Sequence, residues 1–194
     1  MAEGTPGGFA AVYRVMSVFE EAGRVRRGYF VEGLGAAQFA TAGAVDRVRA
    51  FVSTDADRIP GGGLVLAAAD PANPYGAALP WPERGADRQV EDRHRPARRA
   101  GALVVLVDGL PVLYAERGGR TLISFTDVPG DLHEAARALA EKVTGGAVGS
   151  LTVTRIDGVD ALVSSGVTVE ALLANGFALT PQGLRLRSAS GRRA

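Results

Sequence analysis

The stretch "GALVVLVDGLPVLYAERGGRTLISF", residues 101–125, decides how the larger part of this chain folds. Asp108–Gly109 separates two apolar runs and is a dipeptide typical of a two-residue type I′ hairpin turn. "RGG" at 117–119 turns the chain again before a third run, "TLISF". The pattern predicts a three-stranded antiparallel meander, which needs further strands or helices to complete its core.

The segments around the meander supply those elements. "LVLAAA" (64–69) predicts a buried strand, and "LTVTRIDG" (151–158) predicts a strand that ends in a turn. Apolar residues recur every three or four positions in 131–143, which predicts an amphipathic helix. A short helix over 168–177 and a small hairpin over 178–187 complete the pattern.

The first 53 residues follow a different pattern: a helix, a β-hairpin and a second helix. "FAAVYRVMSVFEEA" (9–22) has helical apolar spacing, and Gly23 is expected to end that helix. "RVRRGYFVEG" (24–33) and "LGAAQFA" (34–40) predict two strands joined by a turn at Gly33 and Gly35. The second helix is predicted over 41–53.

Composition excludes several classes of function. The 194 residues are 46% hydrophobic and 22% charged, with a net charge of +1, which is ordinary for a globular protein. The absence of cysteine excludes disulfides, thiol catalysis and cysteine-ligated metal. Because no apolar run is long enough to cross a membrane and no signal segment is visible, we expect a cytoplasmic protein without a membrane partner.

Motifs for catalysis are sparse. There is no phosphate-cradling G-x-x-x-x-G-K-[ST] loop, and His94 and His133 lack metal-ligand spacing, so neither a cofactor nor a metal is predicted. Asp70 precedes a proline at the end of a predicted buried strand. It is a weak candidate for an acid or base, and capping of backbone amides is the favoured role.

Arginine is concentrated near the first helix and hairpin and in the loop before the meander. Such clusters bind phosphates, and aromatic neighbours stack on unpaired bases. The alternative is a solvated surface balanced by the 21 acidic residues. The candidate nucleic-acid-binding residues are Arg14, Arg24, Arg26, Arg27, Tyr29, Arg93, Arg95, Arg98 and Arg99.

"DPANPYGAALPWP" (70–82) contains four prolines and the only tryptophan of the chain. Proline fixes φ and removes a backbone donor, so the segment need not join a sheet. We interpret it as a stiff structural strap across the end of a β-barrel, in which Pro74 fixes the backbone while Tyr75 and Trp81 plug the barrel end. The functional alternative is a base-stacking platform beside the arginine-rich loop.

Four segments together resemble one family. "VFEEAGRVRRGYFVEGLGAAQFATAGAVDRVR", "DPANPYGAALPWP", the meander and "GFALTPQGLRLR" are similar, in this order, to the C-terminal region of bacterial large helicase-related proteins (Lhr). The resemblance covers about residues 9–187. It implies a superfamily 2 DNA-repair helicase that moves 3′ to 5′ on single-stranded DNA and unwinds DNA duplexes and RNA:DNA hybrids. It also implies a C-terminal extension of winged helices followed by a β-barrel.

Under this resemblance we predict an α+β chain in three parts. Residues 1–57 would form a winged-helix-like unit at the end of a larger array, 58–187 a β-barrel with decorating helices, and 188–194 a frayed tail. No ATPase motif is present, and "AAQFAT" lacks the polar partner that the catalytic glutamine motif of related glycosylases requires.

The predicted function is therefore that of an accessory module of an ATP-dependent DNA helicase, non-catalytic by itself. Its expected partners are single-stranded or hybrid DNA and the upstream helicase and winged-helix domains of the same protein. Two alternatives remain open: a DNA glycosylase-like module and a homo-oligomerisation or interaction module.

Overall fold

The computed structural model describes residues 8–35, 37–51, 62–83 and 94–189, and the chain divides into two compact units, residues 1–59 and 60–194. The helices of the described residues are α1 (Gly8–Glu21), α2 (Ala42–Phe51), α3 (Pro129–Thr144) and α4 (Val167–Ala174). The strands are β1 (Val25–Gly28), β2 (Gln38–Thr41), β3 (Leu64–Ala67), β4 (Leu103–Val107), β5 (Leu110–Ala115), β6 (Thr121–Ser124), β7 (Leu151–Val153), β8 (Arg155–Ile156), β9 (Val159–Asp160), β10 (Ala178–Thr180) and β11 (Gly183–Leu186).

The first unit has the predicted order of α1, an antiparallel β1–β2 hairpin and α2. Gly23 ends α1 in the left-handed conformation, at φ 70°, and the N–H of Arg24 donates to the carbonyl of Phe19 at 2.8 Å. Only Val25 and Val45 are buried among the described residues of this unit. Most of its apolar surface is therefore exposed, and the face of α1 away from the hairpin carries Val12, Val15 and Val18.

The second unit is built on a six-stranded sheet with the order β3-β4-β5-β6-β8-β9. The predicted meander is confirmed as β4, β5 and β6, and Asp108 and Gly109 form the predicted turn with φ values of 50° and 81°. Asp157 and Gly158 form the same kind of turn between β8 and β9, with φ values of 49° and 83°. Positive φ at both central residues matches the twist of the flanking strands.

A single strand over 151–158 was predicted, and this prediction was wrong. The chain breaks at Thr154, where the N–H groups of Thr154 and Arg155 both donate to the carbonyl of Arg120, at 2.8 and 3.0 Å. Before the break, β7 joins a three-stranded antiparallel sheet with the order β10-β11-β7. After it, β8 pairs with β6 in parallel. Residues 151–156 therefore contribute one strand to the three-stranded sheet and one to the six-stranded sheet.

The β-barrel is not confirmed, whereas the mixed α/β architecture is. Within the described residues the six-stranded sheet has two open edges, β3 and β9, and the three-stranded sheet is separate from it. Closure would require the last strands to return to β3. Instead, β8 and β9 are only two residues long and end the sheet on the far side of β6.

Both faces of the six-stranded sheet are covered, by different structures. Alternate residues of its central strands, including Val105, Leu113 and Leu122, pack with Leu132 and Leu139 of α3. The opposite face carries Val104, Leu106, Tyr114 and Ile123, and it is covered by residues 68–82. Successive side chains of a strand point to opposite faces of the sheet, so the same strands contribute residues to two separate apolar clusters.

Glu134 ties α3 to the start of the second unit. Its Oε1 accepts the N–H of Gly63 at 2.6 Å, and Arg137 donates to both of its carboxylate oxygens. The hydrogen bonds from Arg137 and Gly63 lower the pKa of Glu134 to about 2. At Gly63 itself, a Cβ would lie 2.7 Å from that of Ala138, so glycine permits this close approach to the helix.

Candidate nucleic-acid interface

The β1–β2 hairpin places two of the candidate arginines, Arg26 and Arg27, on opposite faces. Val25 pairs with Thr41 and Arg27 with Phe39, and these residues share the face that packs against α1. Arg26 pairs with Ala40 and lies on the other face, away from α1. The alternation of the strand therefore assigns neighbouring arginines to different environments.

Arg27 and Arg24 are held by the preceding helix. The guanidinium of Arg27 donates to the hydroxyl of Tyr13 at 2.9 Å and lies 3.7 Å from the carboxylate of Glu20. The guanidinium carbon of Arg24 lies 5.7 Å from the ring centroid of Phe19, within cation–π range. Both arginines contribute to joining α1 to the hairpin.

Arg26, Arg14 and Tyr29 are presented to solvent. Neither arginine makes a hydrogen bond or ion pair with another described residue, and both are exposed. The side chain of Tyr29, directly after β1, is 80% exposed. Of the five candidates in this unit, these three are available to a ligand without breaking an internal contact.

The loop between β1 and β2 is held by the side chain of Gln38, which sequence reasoning did not select. Its Oε1 accepts the N–H groups of Phe30 and Val31 at 2.9 and 2.8 Å. Its Nε2 donates to the carbonyls of Val31 and Gly35, both at 2.8 Å. The amide of Gln38 therefore makes two hydrogen bonds as acceptor and two as donor, all with the backbone of the loop. These bonds favour a single conformation of the loop beside Tyr29.

The candidates in the second unit also differ among themselves. Arg98 donates to three backbone carbonyls, those of Asn73, Ala69 (3.2 Å) and Asp70 (3.0 Å). Arg98 therefore stabilises the backbone of the 70–82 segment, and its guanidinium could bind a phosphate only by giving up these hydrogen bonds. Arg95 and Arg99 are exposed, whereas Arg93 lies outside the described residues.

The 70–82 segment is a compact strap laid on a face of the sheet. The buried side chain of Asn73 donates to the carbonyl of Ala68 at 2.9 Å and accepts the N–H of Tyr75 at 3.1 Å. The carbonyl of Pro74 accepts the N–H of Leu79 at 3.0 Å. The prolines remove backbone donors, and these local bonds together with Arg98 pair several of the remaining backbone groups without a strand partner from the large sheet.

Aromatic packing fixes the strap to the sheet. Trp81 stacks on Phe125 with centroids 6.1 Å apart and planes at 7°, and meets the edge of Tyr114 at 5.5 Å. Tyr75 stacks on Trp81 at 6.1 Å, and its hydroxyl donates to the carbonyl of Gly109 at 3.0 Å. The expectation that Tyr75 and Trp81 plug a barrel end is corrected: they cover a sheet face.

Asp70 makes a local structural contact. Its Oδ1 accepts the N–H of Ala72 at 2.8 Å, and its carbonyl accepts the N–H of Asn73 at 2.9 Å. An aspartate that bonds the backbone two residues ahead starts a turn. This is the capping role favoured from the sequence.

A cavity of about 350 Å³ opens at the start of α4, where sequence reasoning placed no site. Its polar lining includes Asp127, Asp157, Ser164, Ser165 and Thr168. The sequence signal was weak, because Asp157–Gly158 is first of all a turn and the paired serines lack a catalytic motif.

The described ranges contain no cluster of three His, Cys, Asp or Glu side chains suited to a metal ion. None of the helices in those ranges is long and apolar enough to cross a membrane.

Comparison with known proteins identifies a winged-helix domain in the first part of the chain. Residues 1–59 match the family model described as the winged-helix domain of large helicase-related protein. The chain is 52% identical over 192 residues to "Lhr helicase/ probable uracil glycosylase" of Mycolicibacterium smegmatis, which covers 96% of this chain and 12% of that protein. It is 35% identical over 189 residues to "Lhr helicase/uracil glycosylase" of Escherichia coli, covering 95% of this chain and again 12% of the relative.

The chain therefore belongs to the large helicase-related family, and the resemblance to its C-terminal region is confirmed. It spans 12% of the length of these curated relatives.

Proposed function

We propose that this chain is an accessory module of a DNA-repair helicase that contacts nucleic acid and does not itself hydrolyse ATP. The contact surface is the free face of the β1–β2 hairpin together with its loop, and Arg26 and Tyr29 are its central residues. The observation that carries the proposal is a guanidinium without a hydrogen bond or ion pair to any other described residue, on a hairpin whose loop is held by four hydrogen bonds with the side chain of Gln38.

Arg26 suits a phosphate contact because binding costs it no internal interaction. A guanidinium can donate two parallel hydrogen bonds to phosphate oxygens, and it releases a condensed counterion when it does so. Tyr29 offers an exposed ring at the start of the same loop, and unpaired bases stack on such rings. Single-stranded DNA is therefore the expected ligand of Tyr29, whereas RNA:DNA hybrids, which the family resemblance implies, would be held by phosphate contacts alone.

The direct experiment measures binding of labelled single-stranded, hybrid and duplex oligonucleotides to the chain by fluorescence anisotropy. Arg26→Ala is expected to weaken binding several-fold, irrespective of base sequence, because phosphate contacts carry no base information. Arg49→Ala is the matched control, because Arg49 is an exposed arginine of the same unit that lies 3.9 Å from Asp46. If both variants weakened oligonucleotide binding equally, the loss would be explained by the lower net charge of the chain. This result would contradict the proposal.

A glycosylase-like module is the second candidate, because the names of both relatives include uracil glycosylase. The test is to incubate the chain with uracil- or alkyl-base-containing DNA and to measure abasic sites. Product that disappears in Asp70→Asn would establish the enzyme. We place this candidate second because the carboxylate of Asp70 caps a turn.

Assembly with other domains of a longer protein, or with a second copy, is the third part of the proposal. The exposed side chains of Phe9, Val12, Val15, Val18 and Phe19 give α1 an apolar surface of the kind that marks interaction sites. Sedimentation of the chain over a range of concentrations tests self-association. A strict monomer at the highest concentration would leave packing against other domains as the use of this surface.

A further inference from the structure

The cavity at the start of α4 lies in the second unit and has no part in the hairpin surface. One wall is the β8–β9 turn with Asp157, and the other is the first turn of α4 with Thr168. At about 350 Å³ it falls in the usual range for small-molecule sites.

The helix wall supplies hydrogen-bond donors. Gly166 precedes α4 with φ 127° and no side-chain cap, so no capping side chain competes for the first N–H groups of the helix. Thr168 is only 9% exposed, and its hydroxyl has no hydrogen-bond partner among the described residues. A buried hydroxyl without a partner is unfavourable, which makes Thr168 the group that a bound acceptor would satisfy.

The turn wall supplies acceptors that are fixed in position. Asp157 stands in the left-handed conformation, and its two carboxylate oxygens accept the N–H and the hydroxyl of Ser124, at 2.8 and 2.5 Å. Ser124 is fully buried at the end of β6, so it anchors this carboxylate to the sheet. Asp127 adds a second carboxylate to the lining.

The charges of the two walls select a neutral ligand. Two carboxylates disfavour an anion, although a helix N-terminus alone would attract one. The positive end of α4 disfavours a metal cation, and in the described part of the chain no third acidic or histidine ligand joins Asp127 and Asp157. A neutral group that presents a donor next to an acceptor satisfies both walls.

Part of the cavity lining is apolar. Val159, which is 49% exposed, and the half-buried Val167 and Val169 belong to it. A flat ring with a polar edge could enter with that edge inward and with its faces against these side chains. Nucleobases have this combination of a stacking face and a polar edge.

We propose that this cavity binds the polar edge of an unpaired nucleobase. A ring N–H donates to the Asp157 side of the cavity, and the adjacent carbonyl accepts from the hydroxyl of Thr168 and the first N–H groups of α4. The inference rests on the proposed function, in which the chain contacts single-stranded nucleic acid. It adds a base-reading site in the second unit to the phosphate-contacting surface in the first.

The test is a titration of the isotopically labelled chain with thymidine, followed by amide chemical shifts. Shifts are expected at residues 166–169. N3-methylthymidine, which lacks the ring N–H, should bind more weakly. Thr168→Val keeps the shape and removes the hydroxyl, and we expect about fivefold weaker binding, the equivalent of one hydrogen bond of about 1 kcal/mol.

Thr152→Val is the matched control, because Thr152 lies on β7 and does not line the cavity. It should bind thymidine as the parent chain does. The inference is overturned if thymidine leaves residues 166–169 unshifted, if its N3-methyl analogue binds equally well, or if Thr168→Val binds as the parent does. Equal shifts caused by inorganic phosphate or Mg²⁺ would also overturn it.

Oligonucleotide binding of the same samples separates this inference from the function on which it rests. Oligonucleotide binding that depends on Arg26, together with a cavity that does not respond to thymidine, would overturn the inference alone. Thymidine in the cavity without any oligonucleotide binding would overturn the proposed function and support the cavity as a base site.

Discussion

Gly76 and Gly109 both adopt positive φ, 75° and 81°, but their surroundings differ. A Cβ on Gly76 would overlap the indole nitrogen of Trp81, whereas a Cβ on Gly109 would meet open space. Gly109→Ala should therefore cost about 1–2 kcal/mol of unfolding free energy from backbone strain alone. Gly76→Ala should cost clearly more, because it also displaces Trp81. Urea unfolding of the two variants makes the comparison, and equal losses would contradict the packing of the strap.

Arg98 provides a second prediction at the scale of single residues. Its guanidinium satisfies carbonyls of Ala69, Asp70 and Asn73, so Arg98→Ala should destabilise the second unit by about 1–3 kcal/mol. Arg99→Ala is the control, since Arg99 is exposed and no hydrogen bond to the strap is described for it. Thermal melts followed by the fluorescence of Trp81 report on the strap directly. A melting temperature of Arg98→Ala equal to that of Arg99→Ala would show that the arginine does not hold the strap.

At the scale of elements, the contact between α3 and the start of β3 makes a prediction about pH. Hydrogen bonds from Arg137 and Gly63 lower the folded-state pKa of Glu134 to about 2, below its ordinary value of 4.5. Its stabilisation is therefore complete above the unfolded-state pKa and is lost as the pH falls from about 4.5 toward 2. Glu134→Gln should be less stable than the parent at pH 7, and the difference should shrink by pH 3. A difference that stays constant over this range would contradict the linkage.

The elements also show what the sequence could predict. Asp-Gly turns and short continuous apolar runs are signals of neighbouring residues, so β4, β5, β6 and their hairpin could be predicted. The break at Thr154 could not, because it depends on the distant carbonyl of Arg120. Likewise, nothing in an arginine-rich run distinguishes Arg98, which binds backbone carbonyls, from Arg99, which is exposed.

At the scale of the whole molecule, the α+β class follows from the mixture of helical and strand periods, but the closure of the sheet does not. Closure depends on which strands pair across long stretches of chain, and the parallel pairing of β6 with β8 is such a choice. The candidate interface, like the fold, could be predicted only in part. The sequence located the arginines, whereas strand register and the contacts of α1 separated Arg26 from Arg24 and Arg27.

The central claim is that the free face of the hairpin contacts phosphate, and the salt dependence of binding tests it most directly. Binding of single-stranded DNA by the parent chain, Arg26→Ala and Arg27→Ala is measured by anisotropy at several salt concentrations, with a melting curve for each. Arg26→Ala should flatten the salt slope by about 0.7, the value for one phosphate on a single strand, without lowering the melting temperature. Arg27→Ala should keep the parent slope and melt at a lower temperature, because it loses Tyr13 and Glu20. A salt slope of Arg26→Ala equal to that of the parent would contradict the account.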